Sequence, residues 1–357
     1  MKKSIIILVV LALAIVTLVG CSSKATTNTT DQANTTTTTT SAKPVEKQIW
    51  KVSLMGSETH PVSQGYKIFK EELEKKVGDQ VEVQLYYNGQ LGTSPDQTIG
   101  GMQNNIIQFS DMALGNVVEY SNAFLPLDVP YMFLSRDTAL SVVDSEVGKA
   151  MAAKYEEDTN VKLLGVWDFG YRVLTNNVRP VKEVADFKGL KIRTLSNNLH
   201  LKAFEIFGAV PTTMPYSEVF TGLQQGTIDG QENPLGTIYD SKFHEVQKYL
   251  SLTNHVYGFL GMHMSADLYN SQTDEVKKAI DESAAIAIEK EREICQKINE
   301  ESLEKIKADG TEVNEVSEKV MIELRDMMAP VRQMTSDIVG ADYMNAVLDE
   351  IKKIEGK

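Results

Sequence analysis

The sequence predicts an α/β protein built in two parts, and three observations carry that expectation. The chain has 357 residues, more than one ordinary domain takes and about right for two. Period-2 apolar runs alternate with runs of 3–4 spacing, in the order strand, helix, strand, helix, strand. A helical pattern of about 35 residues, roughly 50 Å long at 1.5 Å per residue, is too long to sit on one domain of this size.

In chain order, Met1-Lys2-Lys3 reads as the basic start of a signal peptide and Ile5 to Val19 as its apolar region, shorter than a bilayer span. Leu18-Val19-Gly20-Cys21 resembles the bacterial lipobox, which makes residues 1–20 a signal peptide and Cys21 the lipidated N-terminus. An ordinary signal peptide with a coincidental cysteine is the alternative. Residues 22–47 are rich in Thr, Ser and Asn and bury almost nothing, so residues 21–47 are expected to form the lipidated cysteine and a flexible tether.

The mature chain opens with a strand over residues 49–54 and a polar loop, Met55 to Pro61. Tyr66, Phe69, Leu73 and Val77 then mark a helix that Gly78-Asp79 ends. Val81, Val83 and Leu85 alternate as a second strand, closed by Asn88-Gly89. Ser94-Pro95 is an N-cap and first-turn pair for a helix through Met102. Residues 106–113 read as a third strand, 138–155 as one helix and 161–167 as a strand. "FGYRVLTNN" carries Arg172 on another strand, and "KGLKIRTLSN" alternates Leu190, Ile192 and Thr194 with Lys191 and Arg193. Ser196 and Ser217 are placed as caps of the next two helices, and "TIDGQENPLG" as a loop. Ser271 to Asp274 resembles a capping box that opens the long helix, which keeps its spacing to Gly310.

Composition excludes several functions. The formal charge is −13, with 36 basic against 49 acidic residues, which argues against nucleic-acid binding. With 42% apolar residues the chain can bury a sizeable core. The only cysteine besides Cys21 is Cys295, on a helical face, read as half-buried filling. No phosphate-binding, dinucleotide, nucleophile-elbow or zinc-protease motif occurs, and the five histidines are scattered, so neither a cofactor nor a metal site is expected. Asp229 and Glu232 form an acidic pair whose flanking Gly230 and Pro234 favour turn duties over acid–base work. What remains is a set of polar groups at strand ends and loops: Glu58, His60, Arg172, Arg193, Tyr216 and Asn233.

The stretch from Met214 to His255, with "YYNGQLG", "FGYRVLTN" and "GLKIRT", resembles the solute-binding proteins of tripartite ATP-independent periplasmic (TRAP) transporters, the DctP family. The resemblance implies a two-lobed α/β fold of the periplasmic-binding-protein kind, with hinge crossovers and the long helix bracing both lobes. Lobe I would hold residues 48–169 plus 259–298 and lobe II residues 170–258 plus 299–357. It also implies that Arg193 pairs with a ligand carboxylate, that Arg172, Asn233 and Tyr216 join it, and that Glu58 and His60 reach the far end of the ligand. Trp167, just before the crossover to Arg172, is added to the set, with plain packing as its alternative.

The expectation is thus a non-enzymatic, extracytoplasmic, lipid-anchored monomer that passes a small organic acid to membrane permease subunits. A sugar acid, such as a hexuronate or aldonate, is preferred because two arginines less one carboxylate, Glu58, suit a monoanion. A four-carbon dicarboxylate, a sensor role without transport, and an acid-pair hydrolase using Asp229 and Glu232 stay as alternatives.

Overall fold

The computed structural model describes residues 47–357, so Cys21, the signal peptide and the tether lie outside the described residues. Among the described residues nine strands join one mixed sheet. They are β1 (Gln48–Ser53), β2 (Val81–Tyr86), β3 (Phe109–Ser110), β4 (Val161–Asn176), β5 (Lys191–Thr194), β6 (Val210–Thr213), β7 (Gly230–Pro234), β8 (Tyr249–Ser265) and β9 (Glu312–Glu315). The order is β2-β1-β3-β8-β4-β7-β5-β6, with β9 alongside β8. β2-β1-β3 is parallel, as is β7-β5-β6, and the two triplets are joined by the antiparallel pair β4 and β8.

β4 and β8 explain how one sheet serves two halves. They have 16 and 17 residues, roughly 50–55 Å at the usual rise per residue, long enough to run through both triplets. Gly170 faces Gly258 across the pair, and the register slips on both sides of Gly170. Gly170 has φ +90, a conformation that costs a side-chain-bearing residue dearly, and a Cβ there would stand 2.8 Å from the Asn299 side chain. Bulges and paired glycines weaken the ladder at this rung.

Helices cover the sheet. On the first half lie α1 (Pro61–Val77), α2 (Pro95–Gln103), α3 (Arg136–Asp144) and α4 (Glu146–Thr159). Next come α5 (Asn198–Ile206), α6 (Val219–Gln225), α7 (Leu235–Asp240), α8 (Ala266–Ser271) and α9 (Asp274–Ala308), and last α10 (Glu318–Asp326), α11 (Ala329–Val339) and α12 (Ala341–Glu355). α9 packs on α1, β4 and α7, so it touches both halves as a brace would. Its inner face, Val276, Ile280, Ala284 and Ala287, joins a core with Trp50, Phe69 and Trp167. α12 touches two cores, through Val347 and Ile351 beside Tyr155 and through Met344 beside Leu324. α12 thus packs on cores in both halves of the sheet.

Several local expectations are corrected. Residues 106–113 form only the short β3, because Ala113 makes an isolated bridge to Leu260 and the rest turns away. Residues 138–155 are two helices, broken where the Ser145 hydroxyl accepts from Val147 and Gly148 and restarts the chain. Asn197 and Thr273 cap α5 and α9 in place of Ser196 and Ser271, and Ser217 lies in a 3-10 turn without capping α6. The largest correction is "GQENP": it is a fully buried strand, β7, where polar composition read as a loop.

Candidate functional site

The middle of β4 and the C-terminal ends of β5 and β7 meet at one cavity, whose empty volume is about 660 Å³ with its mouth included. Arg172, Arg193, Asn233, Tyr216 and His60 all line it. The apolar part of the wall comes from Met55, Met112, Phe169, Leu195 and Leu260. A mostly apolar pocket with a few convergent polar groups is the usual form of a small-molecule site.

The two arginines are held differently. Arg193 is 3% exposed. Its Nε and Nη2 donate to the Met214 carbonyl at 3.2 and 3.0 Å, while its buried Nη1 finds no partner among the described residues. Burial pulls its pKa down to about 10, with Glu232 opposing and Arg172 adding to the fall. It stays cationic at neutral pH, with one edge of its fork unused. Arg172 is already neutralised. Its Nε and Nη2 donate to the Glu232 carboxylate, and Nη2 also donates to the Asn233 side-chain oxygen at 3.1 Å.

Beneath the arginines lies a buried ionic chain. Glu232 is fully buried. Burial alone would raise its pKa, but Arg172, His200 and His255 hold it well below the ordinary carboxylate range. His255 Nε2 lies 3.1 Å from its carboxylate. His200 sits between Asp128 and Glu232, 3.8 and 3.9 Å from their oxygens. Burial alone would lower the His200 pKa, yet the two carboxylates push it up to about 9. Asn233 donates to Gln231, and Gln231 donates to Thr175 of β4, so the polar side chains of β7 are satisfied within the strand and by β4 and β8 beside it.

Facing these groups is a carboxyl that sequence reasoning missed. Asp111, just past β3, lines the cavity and is 1% exposed. Both of its oxygens accept from the Met55 amide at 3.1 Å. Burial pushes its pKa up to about 7, and those amide bonds only partly offset the rise.

Two expected residues lie elsewhere. Glu58 is exposed and pairs with Lys67 at 2.8 Å, turned away from the cavity, because the loop before α1 sends His60 inward and Glu58 out. Trp167 is fully buried against Tyr66, under α1, with ring centroids 5.1 Å apart. Its plain packing role is therefore the one observed. Among the described residues no group of three or more His, Cys, Asp or Glu side chains is placed to hold a metal ion.

Comparison with known proteins adds the decisive observation. The family described as "Bacterial extracellular solute-binding protein, family 7" (DctP) matches residues 52–337. The chain belongs to this DctP family. Among curated relatives, the 2,3-diketo-L-gulonate-binding periplasmic protein YiaO of Escherichia coli is 32% identical over 292 residues, 80% of this chain and 87% of that protein. Among solved structures, the sugar acid binding protein DctPAm of Advenella mimigardefordensis, in complex with galactonate, is 28% identical, with a TM-score of 0.83 over 87% of this chain and 99% of that one. A TRAP periplasmic solute binding protein of Shewanella oneidensis with bound succinate is 27% identical, with a TM-score of 0.82 over 86% of this chain and all of that one.

As a DctP-family protein the chain is a TRAP solute-binding protein, and its fold is the two-lobed α/β fold of those structures. The family consists of extracytoplasmic binding proteins of transporters. No helix among the described residues is long and apolar enough to cross a membrane. Glu232 and Asp229, the pair weighed for hydrolysis, do not act together: Glu232 is locked to Arg172, while Asp229 accepts from the Lys191 amide.

Proposed function

We propose that the protein captures a hydroxylated monocarboxylate, a hexuronate or aldonate, between its two lobes and delivers it to the permease subunits of a TRAP transporter. One observation carries the choice: among the described residues that line the cavity, Arg193 is the arginine with an uncommitted charged edge, since Arg172 is paired with Glu232. The three charges sum to +1, which suits one carboxylate. A second carboxylate would have to compete with Glu232 or lie near Asp111. The hydroxyls of a sugar acid match the Asp111 carboxyl, the Asn233 amide and the Tyr216 hydroxyl, which accept or donate without needing a second anion. Galactonate bound by DctPAm supports this reading, and succinate bound by the Shewanella protein favours the four-carbon alternative. Competition calorimetry decides: glucuronate, galacturonate and galactonate are expected to bind and succinate, malate and fumarate to fail, and the reverse order overturns the assignment.

Asp111 makes this reading pH-dependent. With a pKa raised to about 7, it is neutral below that value and anionic above it. An anionic solute favours its neutral form, so affinity falls as pH rises from 6 to 8. Titration calorimetry across that range is expected to show the fall, and Asp111→Asn to remove it. A wild-type affinity independent of pH would count against Asp111 facing the solute.

Within the same proposal, lobe I is residues 48–169 plus 259–298, lobe II is 170–258 plus the remainder, with α12 bridging both, and the Gly170–Gly258 rung is the hinge. Cys21 carries the lipid anchor, on the strength of Leu18-Val19-Gly20-Cys21, and the protein works as a monomer. Cys21→Ser is expected to leave the protein in the medium or uncleaved at the membrane, and unchanged membrane fractionation of a correctly cleaved product would refute the anchor.

A further inference from the structure

Loop 55–60 is tied down at two places far apart in sequence. At one end the Met55 amide donates to Asp111. At the other, the Ser57 amide donates to Asp240 at 3.2 Å, and the Ser57 and Thr59 hydroxyls donate to the same carboxylate, Thr59 at 3.1 Å. Ser57 and Asp240 are 183 residues apart. They stand on either side of a seam beside the cavity mouth, lined by Gly56 and Thr93 on one side and Tyr216 and Phe243 on the other.

Asp240 is an odd residue for its local position. It ends α7, where the helix dipole disfavours an anion. Nothing in α7 accounts for the carboxylate, whereas the opposite loop supplies it with three donors. Two neighbours work at the same seam. Thr237, one turn earlier, lies 3.4 Å from His60 Nε2, and the Ser241 hydroxyl is hydrogen-bonded to the Tyr216 hydroxyl. His60 and Tyr216 line the solute cavity, but Asp240 does not.

We propose that Asp240 is a latch: it positions loop 55–60 over the mouth of the cavity and so sets how long a captured solute stays, without touching the solute. The proposal rests on the reading that the cavity closes over a ligand. A contact that forms only when the two sides meet adds to the stability of the closed state. Losing it lowers the closed fraction, and apparent affinity falls by that factor for every solute alike. The unchanged ratio between solutes separates a latch from a residue that reads the ligand.

The test is Asp240→Ala, with Ser57→Ala from the opposite side, each measured with galactonate and glucuronate by calorimetry and stopped-flow. We expect Asp240→Ala, which strands all three donors, to weaken affinity about tenfold or more, and Ser57→Ala, which removes only the hydroxyl bond and keeps the Ser57 amide and Thr59 bonds, to weaken it by about tenfold or less. The change should fall in the off-rate, be equal for both solutes, and not add in the double variant. An unchanged affinity overturns the latch, and a changed ratio between the solutes does so by placing Asp240 in contact with them. If the wild type binds neither acid, the sugar-acid reading fails by itself. The latch is then read from hydrogen exchange of the Ser57 amide in the unliganded protein. Protection lost in Asp240→Ala supports it, and protection unchanged refutes it.

Discussion

Replacing Arg193 with alanine is expected to abolish measurable solute binding while leaving the protein folded. The loss should be on the order of a hundredfold or more in Kd, because a desolvated carboxylate would lose the one uncommitted cation that the described residues bring to the cavity. Stability should move the other way or not at all. Burial already drags the Arg193 pKa down to about 10, so the empty protein holds a cation it would rather not hold. Among the described residues its hydrogen-bond partner is the Met214 carbonyl, a neutral group. Loss of binding at an equal or higher Tm is thus the signature of a side chain kept for function at the expense of stability. Arg193→Lys should recover only part of the affinity, since an ammonium cannot hold Met214 and present a planar fork together. Wild-type affinity in the alanine variant, measured by calorimetry, would remove Arg193 from the site.

Much of this was legible in the sequence, for physical reasons that differ from element to element. The period-2 runs of β1 and β2 and the 3.6 period of α1 and α9 gave those elements away, because one face of each is buried and the other is wet. Arg193 stood among six polar groups at strand ends and loops, and it was the resemblance of "GLKIRT" to the DctP family that marked it as the carboxylate partner, since a strand-end cation alone reads equally well as a surface charge. β7 and β8 were missed for opposite reasons. Gln231, Glu232 and Asn233 are buried but polar, satisfied by Thr175, Arg172 and His255, and a hydrophobic pattern cannot register that. β8 is buried on both faces from His255 to Ser265, so it loses the alternation that marks a strand. Glu58 and Asp111 show the limit for site residues. Both were acids near strand ends, and only the turn before α1 and the Met55 amide decide which one faces inward.

The largest expected effect on stability comes from Glu232. Glu232→Ala would strand the Arg172 cation in the interior and take an acceptor from His255. Breaking a buried pair from one side costs on the order of 3–5 kcal/mol, which in a protein of this size lowers Tm by roughly 10 °C. Replacing both partners by apolar groups, as in Arg172→Met with Glu232→Leu, should recover much of that loss, because no charge is then left unpaired. The pH dependence follows with definite signs. The Glu232 carboxylate is held below its ordinary range, so its contribution is complete above the unfolded carboxylate pKa and is lost as pH falls through the folded value. His200 is held above its ordinary range, so its contribution is complete below about 6.5 and is lost as pH rises through about 9. Stability from this chain should therefore decline between pH 6.5 and 9, in steps that Glu232→Ala flattens by removing one of the two carboxylates that hold the His200 proton. Denaturant midpoints at pH 6, 8 and 9.5 measure it. A wild-type midpoint that stays level or rises across that range would show that His200 is neutral between Asp128 and Glu232, and that the charge beneath the arginines is balanced without it.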